Sequence, residues 1–157
     1  MPQKITPCLW FDTQAEDAAS FWCSVFKNSH VKNVARYTEA GPGEPGSAMV
    51  VEFELDGVPF TAVNGGPEFT FDEAVSFQIA CADQAEVDYY WDALTADGGQ
   101  ESQCGWLKDK FGLSWQVVPT RLPELLGNPD TALEVSKAMF QMKKIDIAAL
   151  ERAAGLA

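Results

Sequence analysis

Two stretches of the chain decide the fold, "CLWFDTQAEDAASFW" (residues 8–22) and "QIACADQAEVDYYW" (residues 78–91). Both contain Gln-Ala-Glu, which begins at Gln14 in the first and at Gln84, 70 positions later, in the second. Self-similarity at a fixed offset is the signature of a repeated structural unit. The chain is therefore predicted to contain the same module twice.

The start of the helix in each copy carries the same pattern of polar residues. Thr13 and Asp83 precede the apolar periodicity as candidate N-caps, and Glu16 and Glu86 follow three residues later, as in a capping box. Apolar residues then recur at the spacing of one helix face. Each copy therefore predicts a short strand that leads into an amphipathic helix.

A second match joins "DGVPFTAVN" (residues 56–64) with "FGLSWQVVP" (residues 111–119), at an offset of 55. Each copy predicts a glycine turn followed by a strand, and the segment before it in each half is typical of paired strands. Each half is thus predicted as βαβββ, over residues 4–66 and 74–120, with a linker at 65–73. Because one such sheet leaves an apolar face open, the modules are expected to pair and to enclose a ligand cleft.

The C-terminal segment, residues 121–157, is predicted to be helical. Asn128 and Pro129 have the pattern of an N-cap followed by the first helical residue, and Asp146 is expected to open a last short helix. The predicted fold class is α+β, with tandem βαβββ modules and C-terminal helices in a single domain over residues 1–157.

The apolar stripe of the C-terminal segment includes Ala132, Val135, Met139 and Met142. The methionines either line a ligand pocket or fill a core or an interface. A stripe left exposed on a monomer would form an interface, so a homodimer is expected.

Charge excludes one class of partner. Asp and Glu number 23 against 11 Lys and Arg, a formal net charge of −12, whereas nucleic-acid binding requires a basic face. The acidity either maintains solubility or attracts a cationic small molecule.

No apolar run reaches the roughly 18 residues of a membrane span, and the N-terminal stretch lacks the pattern of a signal peptide. A cytoplasmic protein without a membrane partner is therefore expected. Its four cysteines, Cys8, Cys23, Cys81 and Cys104, are predicted to be reduced thiols.

Three motifs in register carry a family resemblance: "ITPCLWFDTQAEDAASFW" (5–22), "SFQIACADQAEVDYYWDAL" (76–94) and "CGWLKDKFGLSWQVVP" (104–119). The chain resembles the PhnB-like branch of the vicinal-oxygen-chelate superfamily, which includes glyoxalase I, extradiol dioxygenases, fosfomycin resistance enzymes and bleomycin-binding proteins. Members of this branch are often labelled 3-demethylubiquinone 3-methyltransferase-like, and the resemblance implies that label here.

The resemblance also implies where a metal would bind. Metal-dependent members carry one ligand on the first and last strand of each module, and these positions correspond here to Thr6, Thr61, Ser76 and Gln116. Neutral hydroxyl and amide groups are poor ligands for a divalent cation, so neither a metal nor another cofactor is expected. Gln116 is expected either to face a polar cleft or to satisfy nearby backbone groups.

Strand alternation extends the candidate site. Trp10 and Trp106 either stack against a ligand or pack in the core or a dimer, and Cys8 is either an inert thiol or a nucleophile. His30, the single histidine, is expected at the surface. The predicted ligand-binding set comprises Thr6, Cys8, Trp10, Thr61, Ser76, Gln78, Trp106 and Gln116.

Three functions follow as hypotheses. The preferred one is metal-independent binding of a small organic molecule between the modules. The alternatives are a vicinal-oxygen-chelate-type enzyme, either a lyase, a transferase or a dioxygenase-like protein acting on a small metabolite, and, with less support, the methyltransferase of the family label. No catalytic residue is identified. The glycine-rich stretch 41–46 precedes a predicted strand rather than a helix, which gives little support to a cofactor loop.

Overall fold

The computed structural model describes residues 3–156 and divides the chain into two compact units. The first extends to Phe71 and the second begins at Asp72, so the boundary falls inside the predicted linker. That the whole chain acts as a single domain stays a prediction. Among the described residues, no helix has the length and apolarity that crossing a membrane requires.

The first unit has the predicted βαβββ order. Its elements are β1 (Cys8–Phe11), α1 (Ala15–Val25), β2 (His30–Arg36), β3 (Ala48–Leu55) and β4 (Val58–Asn64). The strands form one sheet in the order β1-β4-β3-β2, in which β1 and β4 are parallel and the other pairs are antiparallel. Helix α1 packs on one face of this sheet through Trp22, whose ring stacks on that of Phe53 with centroids 5.9 Å apart.

The second unit repeats this arrangement. Its module consists of β5 (Ser76–Cys81), α2 (Gln84–Thr95), β6 (Gln100–Glu101), β7 (Trp106–Lys108) and β8 (Ser114–Pro119). The sheet order is β5-β8-β7-β6, with β5 and β8 parallel. Three helices follow, α3 (Arg121–Leu126), α4 (Ala132–Met139) and α5 (Ile147–Ala153). The predicted α+β class with C-terminal helices is confirmed.

Strand register supports both offsets of the internal repeat at once. In the first unit Cys8 pairs with Thr61, and in the second Gln78 pairs with Gln116. Cys8 and Gln78 are 70 residues apart, and Thr61 and Gln116 are 55 apart, which are the offsets found in the sequence. The two sequence matches therefore describe one repeated pair of parallel strands.

The prediction that Thr6 lies on the first strand is wrong, because β1 begins only at Cys8. Two prolines explain the late start of β1: Pro7 directly follows Thr6, and Pro59 lies on the adjacent strand β4. Pro7 and Pro59 have no N–H to donate to a neighbouring strand, although the Pro7 carbonyl still accepts from Thr61 N at 2.9 Å. The equivalent residues of the second unit are not prolines, and there β5 begins at Ser76.

The start of α1 differs from the prediction. Thr13 makes no capping bond, and the helix begins at Ala15. Instead the carboxamide of Asn64, at the end of β4, accepts from Ala15 N at 2.9 Å and donates to the Ala48 carbonyl at 3.0 Å. The first unit therefore caps its helix with a residue 49 positions away in sequence.

The predicted cap of α2 is correct, since the Asp83 carboxylate accepts from Glu86 N at 2.9 Å. Glu86 reaches back to Ala82 N at 3.3 Å, close to the reciprocal bond of a capping box. Asp146 likewise caps α5, as predicted, by accepting from Ala149 N at 3.1 Å.

Other parts of the C-terminal prediction need correction. The middle helix begins at Ala132, whereas Asn128 forms a preceding turn in which its side chain accepts from Asp130 N. The apolar stripe is covered by its own unit, because Val135 packs in a buried cluster with Leu122, Leu125, Ile145 and Leu150. The homodimer stays a prediction, but the exposed stripe no longer supports it.

Candidate functional site

The eight predicted ligand-binding residues divide equally between the two units. Thr6, Cys8, Trp10 and Thr61 belong to the first unit, and Ser76, Gln78, Trp106 and Gln116 belong to the second. A cleft between the modules stays a prediction, so each group is considered within its own unit.

In the first unit, Trp10 is held by neighbouring backbone and by an aromatic ring. Its indole Nε1 donates to the Gly66 carbonyl at 2.9 Å, and Phe69 packs edge-on against the ring with centroids 5.0 Å apart. A side chain on Gly65 would place its Cβ only 2.2 Å from the indole, so glycine is required there. These contacts favour a packing role for Trp10 over ligand stacking.

Cys8 and Thr61 are neighbours on the sheet face opposite α1, where they alternate with buried residues. Cys8 is exposed, but partial desolvation of its thiol raises the pKa above the ordinary value, so the thiol stays protonated at neutral pH. A thiol is a poor nucleophile compared with its thiolate. Of the two interpretations of Cys8, the inert thiol is therefore favoured.

Three predicted residues of the second unit meet at one cavity of about 620 Å³, on the sheet face opposite α2. Gln78 on β5, Gln116 on β8 and Trp106 on β7 form its floor, and Trp106 pairs directly with Gln116 across the strands. The C-terminal helices and the segments beside them supply apolar walls, of which the sequence offered only Met139 as one of its alternatives for a pocket residue. These are Leu122, Pro123, Leu126, Met139 and Phe140.

The polar side chains of this floor form a short hydrogen-bonded chain. Gln78 Nε2 donates to Gln116 Oε1 at 3.4 Å, and Gln116 Nε2 donates to Ser76 Oγ at 2.9 Å. Of the two roles considered for Gln116, these contacts match a side chain on a polar floor, bonded to other side chains rather than to backbone. Both the oxygen and the nitrogen of the Gln116 carboxamide are hydrogen-bonded, which fixes the orientation of this side chain on the floor of the cavity.

The residues at the positions that correspond, by the family resemblance, to metal ligands are poorly suited to bind a divalent cation. Ser76 and Gln116 are in contact, but Gln116 directs an amide N–H, which has no free electron pair, toward the hydroxyl. Their equivalents in the first unit are Thr6, outside β1, and the hydroxyl of Thr61. Within residues 3–156, no group of three or more histidine, cysteine or acidic side chains could hold a metal ion.

Acidic side chains elsewhere have structural roles. Asp109 is 2% exposed and accepts from Phe111 N, Leu113 N and the Trp115 indole at 2.9–3.1 Å. Glu54 is partly exposed; it pairs with Lys32 at 3.1 Å and lies 3.9 Å from the exposed His30. The surface position of His30 is confirmed.

The first unit has a different cavity, of about 520 Å³, between the start of α1 and the loop that joins β2 to β3. It is lined by acidic side chains, Asp12, Glu16, Asp17 and Glu44, and by Arg36, which pairs with Glu16 at 3.0 Å. None of the eight predicted ligand-binding residues lines this cavity. Its charge distinguishes it from the neutral cavity of the second unit.

Comparison with known proteins identifies the family. The model of a family described as 3-demethylubiquinone-9 3-methyltransferase matches residues 3–118. A putative 3-demethylubiquinone-9 3-methyltransferase, the PhnB protein from Bacillus cereus, is 33% identical; the match covers 75% of this chain and 100% of that one, with a TM-score of 0.69. The chain belongs to this PhnB-like family. The predicted family is therefore confirmed.

More distant structures share the fold of this PhnB-like chain. A protein from Pseudomonas aeruginosa is 17% identical, with 75% of this chain and 98% of that chain covered and a TM-score of 0.61. The fosfomycin resistance protein FosX from Mesorhizobium loti is 11% identical, with 82% and 99% covered and a TM-score of 0.57. These similarities show that the fold is shared and agree with the predicted fold class. No curated protein matches the sequence.

Proposed function

We propose that this PhnB-like protein binds a small organic molecule without a metal ion, and that the cavity of the second unit is the principal binding surface. The observation that carries the proposal is the convergence of Gln78, Trp106 and Gln116 on a cavity of about 620 Å³ with apolar walls. Binding sites for small molecules combine apolar walls with a few fixed polar groups, and their volumes are roughly 300–1,000 Å³.

Metal independence is supported by the chemistry of the available side chains. A divalent cation must exchange bound water for ligands that compensate the loss, and carboxylates, imidazoles and thiolates do this best. Ser76 and Gln116 are uncharged and already bonded to each other. The same two residues suit an organic ligand, because they hold a floor of donors and acceptors in place.

The activity named by the family description has less support in the residues of this chain. The glycine-rich stretch, residues 41–46, joins antiparallel strands β2 and β3 and precedes no helix. Gly43 lies against the ring of Tyr37, where an added Cβ would come within 2.3 Å of the ring. This packing explains the glycine without a cofactor.

The proposal is tested by thermal shift and tryptophan fluorescence with a panel of flat organic compounds and, separately, divalent cations. A ligand that binds only the folded state raises the melting temperature. We expect organic compounds to produce the shift and Trp106→Leu to abolish it. A shift with cations alone would overturn the proposal.

Variants of the first unit test whether its predicted residues share the site. Cys8→Ala and Thr61→Val change the sheet face opposite α1 with little loss of volume. If these variants bind the organic compound as the wild type does, the second unit alone forms the site. If either weakens binding as strongly as Trp106→Leu, the inter-module cleft is the correct description.

A further inference from the structure

We infer that the ligand of the second-unit cavity is an uncharged, flat molecule that carries a hydrogen-bond donor and acceptor side by side, as a lactam or a primary carboxamide does. This inference rests on the proposed function and specifies the chemical class of its ligand. Three features of the cavity support it: the charge of its walls, their aromatic surface and the free edge of one amide.

The described side chains that line the cavity are all neutral. This is a local property, because the chain as a whole has 23 acidic and 11 basic residues. An ionised ligand would lose hydration on entering and would meet no opposite charge on the walls, which is costly. An uncharged ligand avoids this cost, so the cavity discriminates against carboxylates, phosphates and ammonium groups.

Aromatic and sulfur-containing side chains offer flat or adaptable surfaces. Trp106 contributes its indole from β7, and Met139 and Phe140 approach from the end of α4. Flat ligands stack on aromatic faces, and a thioether packs well against ring edges. Because Trp106 pairs with Gln116 across the strands, a ligand that stacks on the indole lies next to the amide groups.

The amide groups specify the polar edge of the ligand. Gln116 uses its oxygen to accept from Gln78 and an N–H to donate to Ser76. Gln78 uses one amide hydrogen in its bond to Gln116, and its oxygen has no hydrogen-bond partner within residues 3–156. The oxygen and the second N–H of Gln78 therefore remain available to a ligand, and together they suit a ligand edge that carries a donor beside an acceptor.

Three probes with nearly the same ring system separate these properties. They are 2-quinolinone, which has the lactam edge, N-methyl-2-quinolinone, which lacks the donor, and quinoline-2-carboxylate, which is charged. Isothermal titration of the full chain is expected to give about tenfold tighter binding for 2-quinolinone than for either other probe, the effect of one hydrogen bond.

Gln78→Leu tests the residue assignment, since Gln78 is exposed and its replacement should leave the fold intact. This variant is expected to bind 2-quinolinone at least about tenfold more weakly and to lose the preference over the N-methyl compound, which can form only one of the two bonds to the wild-type amide. Gln100→Leu is the matched control, because Gln100 is an exposed glutamine of the same unit outside this cavity.

Each contrary result identifies a different error. Equal binding of both quinolinones to the wild type, or discrimination that survives in Gln78→Leu, would overturn the amide-edge inference but leave the proposed function standing. Equal binding of the carboxylate would overturn the inference about charge. If none of the probes binds at millimolar concentration, the cavity is not a site for flat organic molecules, and the proposed function fails with the inference.

Discussion

Replacing Asn64 by alanine removes the side chain that joins the start of α1 to the sheet of the first unit. The Asn64 side chain is 8% exposed and bonds two backbone groups, the N–H of Ala15 and the carbonyl of Ala48. Loss of an N-cap costs about 1 kcal/mol. The buried carbonyl left without a donor costs about 1–3 kcal/mol more. We therefore expect Asn64→Ala to lower the free energy of unfolding by about 2–4 kcal/mol.

Thr13→Ala is the control for this prediction, because Thr13 is the residue that the sequence pattern assigns as the cap. Thr13 is exposed and makes no side-chain capping bond, so its replacement should change stability by less than about 0.5 kcal/mol. Urea denaturation followed by circular dichroism measures both values. If Asn64→Ala costs no more than about 0.5 kcal/mol, the value expected of the Thr13 control, the long-range cap does not contribute significantly to stability and the reasoning is refuted.

Three further predictions concern the chemistry of single sites. Ser76→His combined with Gln116→Glu should create measurable Zn²⁺ affinity by calorimetry, because the wild-type side chains are 2.9 Å apart; no binding would contradict the assignment of these positions. Asp109→Asn should lower the free energy of unfolding by about 2–4 kcal/mol, because one amide oxygen cannot replace a carboxylate that accepts three hydrogen bonds. Urea denaturation measures this change, and an unchanged midpoint would count against it. Burial, aided by Glu86 and Asp83, raises the pKa of Cys81 from 9.0 to about 12. The stability that this shift provides is complete below pH 9 and is lost as the pH rises toward 12. Cys81→Ala should therefore lose less stability than the wild type as the pH rises over this range, and identical profiles of stability against pH would contradict this.

The repeat could be predicted because the features that reveal it are local in the sequence. Strand alternation, the glycine turns and the cap at Asp83 all depend on residues within a few positions of each other. Both offsets of the repeat reappear in the pairing of Cys8 with Thr61 and of Gln78 with Gln116. These local features need no knowledge of distant segments, and comparison of the two halves of the sequence then aligns them.

The errors arise where a distant residue outweighs the local pattern. Asn64 replaces Thr13 as the cap from across the first unit, and Pro59 on a neighbouring strand, together with Pro7, excludes Thr6 from β1. Neither Asn64 nor Pro59 is visible in a window around the residue whose position it changes.

Only part of the candidate site could be predicted from the sequence, for a similar reason. Its floor lies on strands whose alternation identifies Gln78, Trp106 and Gln116, but its walls come from helices that pack against the same sheet. Helical periodicity reveals that Met139 has an apolar environment without indicating which one. In fact Met139 both packs against the helical cluster and lines the cavity.

The two caps also affect the order in which the chain folds. Helix α2 receives its cap from Asp83, next to it in sequence, so this helix can nucleate as soon as its own residues are available. Helix α1 receives its capping bond from Asn64, which is in place only after β4 has joined the sheet. Closing that loop of 49 residues costs entropy before the bond compensates it. During synthesis from the N-terminus, the cap of α1 is therefore completed only after the arrival of β4, although α1 is the first helix to be made.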